Sequence, residues 1–149
     1  MTANEVFRGD AAIAVLPLGA TEQHGDHTPL MVDTGWAIAV SEGAARQANA
    51  LVAPPLHFGW STHHLAYPGA ITLRPETMID GLVDVGESLV YHGFKRIVLV
   101  NGHGSNAPLV EQVGRQTNLQ TDALCLTLSW WQLIAEYWND EVRESGPGG

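Results

Sequence analysis

The stretch RIVLVNGHGSN, residues 96–106, joins a strand pattern to a short polar loop and decides the fold class. Residues 97–100 are apolar and mostly β-branched, which is typical of a parallel strand buried on both faces of a sheet. The glycines on either side of His103 permit tight backbone geometry where this strand ends. We therefore expect a buried parallel strand that places a histidine at the sheet edge where α/β proteins bind ligands.

Strand-like and helix-like segments alternate along the rest of the chain. Apolar runs predict further strands at 11–19, 51–59 and 123–130, and the intervening segments predict helices at 33–50, 74–93, 107–117 and 131–138. Strands separated by helix-length segments indicate βαβ crossovers, which join parallel strands. The sequence therefore predicts an α/β fold, with a mostly parallel sheet and helices on both faces.

Composition limits the classes of partner and the cellular location. The chain has 149 residues, 45% of them hydrophobic, so it can bury the core of one domain. Its formal net charge of −9 argues against nucleic acid or an anionic membrane as a partner, because like charges repel. The single cysteine, Cys125, lies in an apolar run and is predicted to be a core thiol. We find neither an export signal nor an apolar stretch of membrane-spanning length, so we expect a cytoplasmic protein.

A second polar cluster follows the first predicted strand, in TEQHGDHTPLMVDT at residues 21–34. Glu22 and His24 are two residues apart, so in an extended segment their side chains point to the same side. Asp33 lies at the start of the next predicted helix, and His103 follows another predicted strand of the same sheet. These four side chains would form a mixed nitrogen and oxygen site of the kind that holds zinc or manganese. Loop histidines are also often merely solvated, so the spacing alone leaves metal binding open.

Three separated blocks of the sequence resemble the signature blocks of the creatininase (creatinine amidohydrolase) family, in the same order and at similar intervals. They are LPLGATEQHGDHTPLMVDT at 16–34, WSTHHLAYPGAITL at 60–73 and VNGHGSN at 100–106. The resemblance runs from about residue 11 to the end of the chain. It implies a three-layer α/β/α fold and a metal-dependent hydrolase of amide bonds, including a cyclic amide, with a binuclear metal site and a hexameric assembly.

The resemblance also implies roles for individual residues. Glu22, His24 and Asp33 match the ligands of the first block, with Asp33 in the position that bridges two ions. His103 matches the ligand of the NGH block. A pair of ions can deprotonate a shared water at neutral pH while polarising the amide carbonyl. The cofactor implied is a divalent metal, zinc or manganese, in a binuclear centre.

Two departures from the family pattern bear on function. Ser105 stands where creatinine-cleaving members have a glutamate ligand, which counts against creatinine as the substrate. The chain ends at ESGPGG, residues 144–149, before a further block in which relatives have a histidine and a glutamate. We therefore expect residues 1–149 to be a single creatininase-like domain that is truncated at its C-terminus, or one that a second polypeptide completes.

Other polar and aromatic residues admit two interpretations each. His63 and His64 are either solvated or capping histidines of a loop, or weak candidates for the acid that protonates the leaving nitrogen. Trp131 either packs in the core or borders the substrate, as a tryptophan does in creatinine-cleaving relatives. His27 is expected to hydrogen-bond a metal ligand rather than to be one.

Three functions remain open from the sequence. The first is a metal-dependent amidohydrolase of the creatininase type, acting on a non-standard or cyclic C–N amide bond of a small-molecule or peptidic substrate, in a homo-oligomer. The second is a catalytically impaired metal-binding fragment, or a subunit that needs a second polypeptide. The third is a doubly wound domain that binds an anion, which lacks support because no phosphate-binding glycine loop follows any predicted strand.

Overall fold

The computed structural model describes residues 1–7 and 12–135, which form four parallel strands with helices on both faces. The strands are β1 (Ile13–Leu18), β2 (Leu51–Val52), β3 (Arg96–Asn101) and β4 (Leu124–Ser129). The helices are α1 (Ala3–Phe7), α2 (Val32–Ala48), α3 (Pro75–Tyr91), α4 (Ala107–Gln120) and α5 (Trp130–Leu133). Two short 3₁₀ turns, Thr62–His64 and Gly104–Asn106, lie in the loops. The predicted α/β architecture is confirmed.

The strand order in the sheet is β2-β1-β3-β4, and each neighbouring pair is parallel. β1 and β3 pair over their whole length, from Ile13 beside Arg96 to Leu18 beside Asn101. The chain moves from β1 to β2 in one direction, and from β2 past β1 to β3 in the other. Because crossovers between parallel strands are right-handed, α2 lies on one face of the sheet, and α3 and α4 lie on the other.

The main hydrophobic core lies between the sheet and helices α3 and α4. Successive residues of a strand point to opposite faces, so every second residue of β1 and β3 enters this core. α3 presents a continuous apolar face because its apolar residues recur at helical intervals. The core residues with the largest side chains include Leu18, Met78, Leu82, Ile97, Leu99, Val110 and Val113. This packing fixes the two central strands whose ends carry the polar loops.

Two glycines let the start of α2 lie directly on the ends of the central strands. A Cβ atom at Gly19 would overlap Thr34 Oγ1, and one at Gly102 would overlap the carbonyl oxygen of Asp33. Only a residue without a side chain allows such a close backbone approach. This contact holds Asp33, in the first turn of α2, over the carboxyl ends of β1 and β3.

Two predicted elements are longer than the observed ones. The strand predicted at 51–59 is confined to β2, because Pro54 and Pro55 lack the N–H groups that a strand ladder needs. The helix predicted at 131–138 is observed as the short α5, and residues 136–138 lie outside the described residues. α1, a five-residue helix, has no counterpart among the predictions.

The outer edge of β4 is unpaired in the part of the chain that the structure describes. Cys125 points into the main core, so Leu124 and Leu126 point to the face that α2 covers. They remain 50% and 52% exposed, because α2 packs mainly on β1, β2 and β3. An apolar strip therefore lies beside α2.

No helix within residues 1–7 and 12–135 has the length and apolar character needed to cross a bilayer.

Candidate metal centre

The candidate site lies at the carboxyl ends of β1 and β3. Because Leu18 and Asn101 are register partners, the loops that follow them leave the sheet side by side. The backbone N–H of Gly102 donates to the Leu18 carbonyl oxygen at 2.7 Å, which extends the pairing beyond the strands. The order of the strands reverses at β1, and open α/β sheets bind ligands at such points.

Glu22 is the more buried of the two carboxylates in the site, at 3% exposure. Its loop is closed by a hydrogen bond from the Glu22 N–H to the Leu30 carbonyl oxygen at 3.0 Å. Glu22 Oε1 lies 3.1 Å from His64 Nδ1 and 3.3 Å from His103 Nδ1. Glu22 Oε2 is buried, and among the described residues it has no hydrogen-bond partner. One buried acceptor of the site is therefore left for a further group.

Asp33 lies in the first turn of α2 and is 7% exposed. Its two oxygens face different imidazoles, since Oδ1 lies 3.0 Å from His24 Nε2 and Oδ2 lies 2.9 Å from His103 Nδ1. The positive end of the helix dipole also stabilises a carboxylate in this turn. Asp33 therefore sits between the two histidines, which is the position that a bridging ligand needs.

Backbone carbonyls determine which ring nitrogen of each histidine faces the carboxylates. His103 Nε2 lies 3.2 Å from the Trp60 carbonyl oxygen, which can only accept, so Nε2 carries the hydrogen. His24 Nδ1 lies 3.4 Å from the Glu22 carbonyl oxygen in the same way, and its Nε2 faces Asp33. In the neutral rings the nitrogens that face the carboxylates carry lone pairs, as metal ligands do.

The charge balance of the site favours a cation. Burial lowers the pKa of His103, but its contact with Asp33 and the charges of Glu22 and Asp33 outweigh burial and raise that pKa above its ordinary value. Within the described ranges, the nitrogen partners of both carboxylates are histidines rather than lysines or arginines. Two buried carboxylates thus lack a permanently charged partner, and a divalent ion would supply the missing positive charge.

The 3₁₀ turn Thr62–His64 brings two further histidines to the same place. The rings of His63 and His103 are nearly parallel, with their centroids 5.9 Å apart and their planes 7° apart. The ring centroids of His63 and His64 are 4.2 Å apart. His63 is exposed and His64 is half-buried, so this turn forms the solvent side of the site.

The donor set fits a divalent transition metal. Ligand atoms of Glu22, His24 and Asp33 lie within 4.8 Å of one another, and so do those of Glu22, His63 and His103. The contacts between histidine nitrogens and carboxylate oxygens in the site have distances from 2.9 to 3.3 Å. Ligands arranged tetrahedrally around zinc at 2.0–2.1 Å are about 3.3 Å apart. Imidazole nitrogens and carboxylate oxygens are also the ligands that zinc and manganese accept.

Two buried asparagines outside the predicted ligand set hold the loops of the site in place. Asn106 Nδ2 donates to the Gly19 carbonyl oxygen at 3.0 Å, and its Oδ1 accepts from the Trp60 N–H at 2.9 Å. Asn101 Oδ1 accepts from the His103 N–H at 3.1 Å, and its Nδ2 donates to the His103 carbonyl oxygen at 2.8 Å. The available signal is their position on both sides of the histidine in NGHGSN.

The remaining predicted residues lie outside the carboxylate and imidazole contacts given above. Trp131 is half-buried and meets Trp130 edge-on, with ring centroids 5.9 Å apart, while Trp130 stacks on Trp36. A role for Trp131 at the substrate stays a prediction. His27 is exposed, and its predicted hydrogen bond to a ligand is not found among the residues described. Ser105 is half-buried in the turn after His103.

Comparison with known proteins finds relatives that are hydrolases. The family described as creatininase, creatinine amidohydrolase, matches residues 1–147. A 3-dehydro-scyllo-inosose hydrolase of Thermotoga maritima is 29% identical over 137 residues, which cover 91% of this chain and 44% of that protein. A mycofactocin precursor peptide peptidase of Mycolicibacterium smegmatis is 40% identical over 100 residues, which cover 63% of this chain and 40% of that protein. A creatinine amidohydrolase of Pseudomonas putida is 32% identical over 143 residues, which cover 88% of this chain and 54% of that protein.

Solved structures share the fold. A creatininase in its Mn form has a TM-score of 0.78 at 28% identity, covering 95% of this chain and 61% of that chain. A mutant creatininase of the Zn-Zn type also has a TM-score of 0.78 at 28% identity, covering 97% of this chain and 61% of that chain. The chain spans about half the length of the curated relatives that it matches.

Proposed function

Because this chain belongs to the creatininase family, we propose that it is the metal-holding part of a hydrolase that cleaves C–N amide bonds. The observation that carries the proposal is the placement of Asp33, with one carboxylate oxygen toward His24 and the other toward His103. A shared carboxylate offsets the repulsion between two neighbouring cations. The proposed ligands of the divalent ions, Zn²⁺ or Mn²⁺, are Glu22, His24, Asp33 and His103.

The residues of the chain position the ligands and the proton donor. When bound, divalent ions supply an activated water at neutral pH and polarise the amide carbonyl. The Trp60 carbonyl holds the His103 ring so that Nδ1 faces the site, and α2 holds Asp33. Amide cleavage also needs a proton on the leaving nitrogen. His63 and His64 are the candidates for that transfer, because both reach the site and imidazole is the commonest proton-transfer group in enzymes.

The proposed substrate is a small-molecule or peptidic amide. Two of the relatives are named for the hydrolysis of creatinine and of a precursor peptide, both amides, and a third is named for the hydrolysis of an inosose. Ser105 argues against creatinine, since the resemblance places a glutamate ligand at that position. A hexameric, cytoplasmic enzyme is the assembly and location proposed from the resemblance and the composition.

The second candidate function is a metal-binding fragment or subunit that is catalytically impaired until a second polypeptide completes it. The length of the relatives favours this candidate, because the chain matches only about half of each. An enzyme would hydrolyse substrate as the 149-residue chain. A subunit would bind metal alone and hydrolyse substrate only after the C-terminal half of a full-length relative is added.

Matched carboxylate variants test the proposal. The 149-residue chain is loaded with Zn²⁺ or Mn²⁺, analysed for bound metal by plasma mass spectrometry, and assayed against small amides, cyclic amides and short peptides. Asp33→Asn should lose bound metal, whereas Asp26→Asn in the loop before α2 should keep it, because Asp26 is exposed. Equal metal content in the two variants would refute the assignment. Metal binding without turnover of any substrate would favour the second candidate.

A further inference from the structure

The ligand atoms around Glu22 fall into two groups. Glu22, His24 and Asp33 form the first group, and Glu22, His63 and His103 form the second, each with its ligand atoms within 4.8 Å of one another. Glu22 belongs to both groups, so the two groups lie side by side. The four ligands proposed above leave His63 without a role in metal binding, although its ring nitrogen reaches the second group.

Glu22 and His103 each offer a ligand atom to the second group. The Nε2–H of His103 donates to the Trp60 carbonyl oxygen, so the lone pair of the neutral ring is on Nδ1. Oε2 of Glu22 is buried and has no hydrogen-bond partner within the described part of the chain. An unpartnered carboxylate oxygen in the interior is unfavourable, and a cation beside it would remove that cost.

The backbone around His63 is fixed, although its side chain is exposed. Ser61 is fully buried, and its N–H donates to Thr72 Oγ1 at 2.9 Å. The His64 N–H donates to the Ser61 carbonyl oxygen at 2.9 Å, which closes the turn. The turn therefore places His63 on the solvent side of the site, where its ring lies nearly parallel to the ring of His103.

We propose that His63 is a metal ligand, which completes a second ion position together with Glu22 and His103. This inference rests on the proposed function, because it assumes that the cluster holds divalent ions. Asp33 also borders the second position, since its Oδ2 lies 2.9 Å from His103 Nδ1, so the positions differ in that the second offers two imidazoles and the first offers one. Imidazole suits zinc and carboxylate suits manganese, so Zn²⁺ should prefer the position that contains His63.

A ligand role for His63 leaves proton transfer to its neighbour His64. His64 belongs to neither group of mutually close ligand atoms, and its Nδ1 lies 3.1 Å from Glu22 Oε1. The two adjacent histidines therefore have roles that experiment can separate. His63→Ala should change metal binding, and His64→Ala should change turnover more than it changes metal binding.

Cobalt substitution tests the proposal with a readout that does not depend on turnover. The 149-residue chain, His63→Ala and His57→Ala are titrated with Co²⁺ and followed by visible absorption, and Zn²⁺ stoichiometry is measured by equilibrium dialysis. His57 is the matched control, because it is an exposed histidine outside both groups. Wild type and His57→Ala should bind two ions. His63→Ala should bind one of them at least about tenfold more weakly, since losing even a hydrogen bond to a metal ligand typically costs 10–100-fold in affinity.

The outcomes separate this inference from the proposed function. If His63→Ala binds two ions with wild-type affinity and an unchanged Co²⁺ spectrum, His63 is not a ligand, while the proposed function stands. If the wild-type chain binds no divalent ion, both fail. Thermal melting by circular dichroism establishes that His63→Ala is folded. A His63→Gln variant, which keeps an uncharged polar side chain, should show the same loss of affinity.

Discussion

Replacement of Asn106 by alanine should weaken both the fold and the metal centre. Asn106 is fully buried, and its amide joins the loops of Gly19 and Trp60 through hydrogen bonds of 3.0 and 2.9 Å. Alanine leaves a carbonyl oxygen and an N–H group without their partner. Each orphaned buried group costs about 1–3 kcal/mol, and the Trp60 N–H is only part-buried. We expect the free energy of unfolding to fall by about 2–4 kcal/mol.

Asn118 provides a matched control, because its amide also makes two hydrogen bonds to backbone. Its Nδ2 donates to the Cys125 carbonyl oxygen at 2.9 Å, and its Oδ1 accepts from the Cys125 N–H at 2.6 Å. These bonds join the end of α4 to the start of β4, at the opposite end of the strands from the site. Both bonds are part-buried and far from the site, so Asn118→Ala should cost about 1–3 kcal/mol and leave metal affinity unchanged.

Urea unfolding followed by circular dichroism measures the stability of both variants, and competition with a chelating dye measures Zn²⁺ affinity. The loop that Asn106 holds carries the Trp60 carbonyl, which fixes the ring of His103. Asn106→Ala should therefore weaken Zn²⁺ binding by about 10–100-fold, the usual effect of losing a hydrogen bond that orients a ligand. The reasoning is refuted if the two variants lose equal stability and Asn106→Ala binds Zn²⁺ as tightly as wild type.

The close contact at Gly102 predicts that Gly102→Ala lowers stability by about 1–3 kcal/mol and reduces metal content, because the new Cβ overlaps the Asp33 carbonyl oxygen. Unchanged melting and metal content would contradict that contact. Burial raises the pKa of Cys125 to about 11, so iodoacetamide at pH 8 should alkylate it slowly in the folded chain and rapidly in urea. Equal rates by mass spectrometry would show that the thiol is accessible. Leu126, 52% exposed on the edge strand β4, predicts that Leu126→Lys reduces self-association in sedimentation velocity, because an edge lysine opposes strand pairing. An unchanged mass distribution would show that self-association does not depend on this edge of the sheet.

The central elements are predictable because their sequences carry one consistent local signal. The apolar residues 97–100 predict the strand that is observed as β3, and the helical spacing in 74–93 predicts α3 within two residues at its ends. The strand at 51–59 is overestimated, because an apolar run continues past the point where Pro54 and Pro55 interrupt the ladder. A local apolar pattern thus overestimates a strand where two consecutive prolines interrupt the ladder.

The loops carry less local information than the strands. Glu22 and His103 can be predicted to approach each other because each follows a central strand, and the structure does bring them together, but metal binding by them stays a prediction. The turn that carries His63 is connected to Thr72 by the Ser61 N–H bond and by a bridge from Gly59, and Thr21 forms a bridge to Ile71, 50 residues away in the sequence. No local pattern encodes such a bridge.

The pairing of β1 with β3 also imposes an order in time on the assembly of the site. Three of the candidate ligands come from residues 21–34, whereas the bond between Gly19 and Asn106 joins residues 87 apart. Closing so long a loop reduces chain entropy before native contacts offset the loss, so this pairing is slow compared with local structure. During synthesis and refolding, the carboxylates and His24 are therefore available early and His103 arrives late. For the proposed metal centre, this order predicts that an ion is held loosely until the central strands pair and tightly only once the sheet has formed.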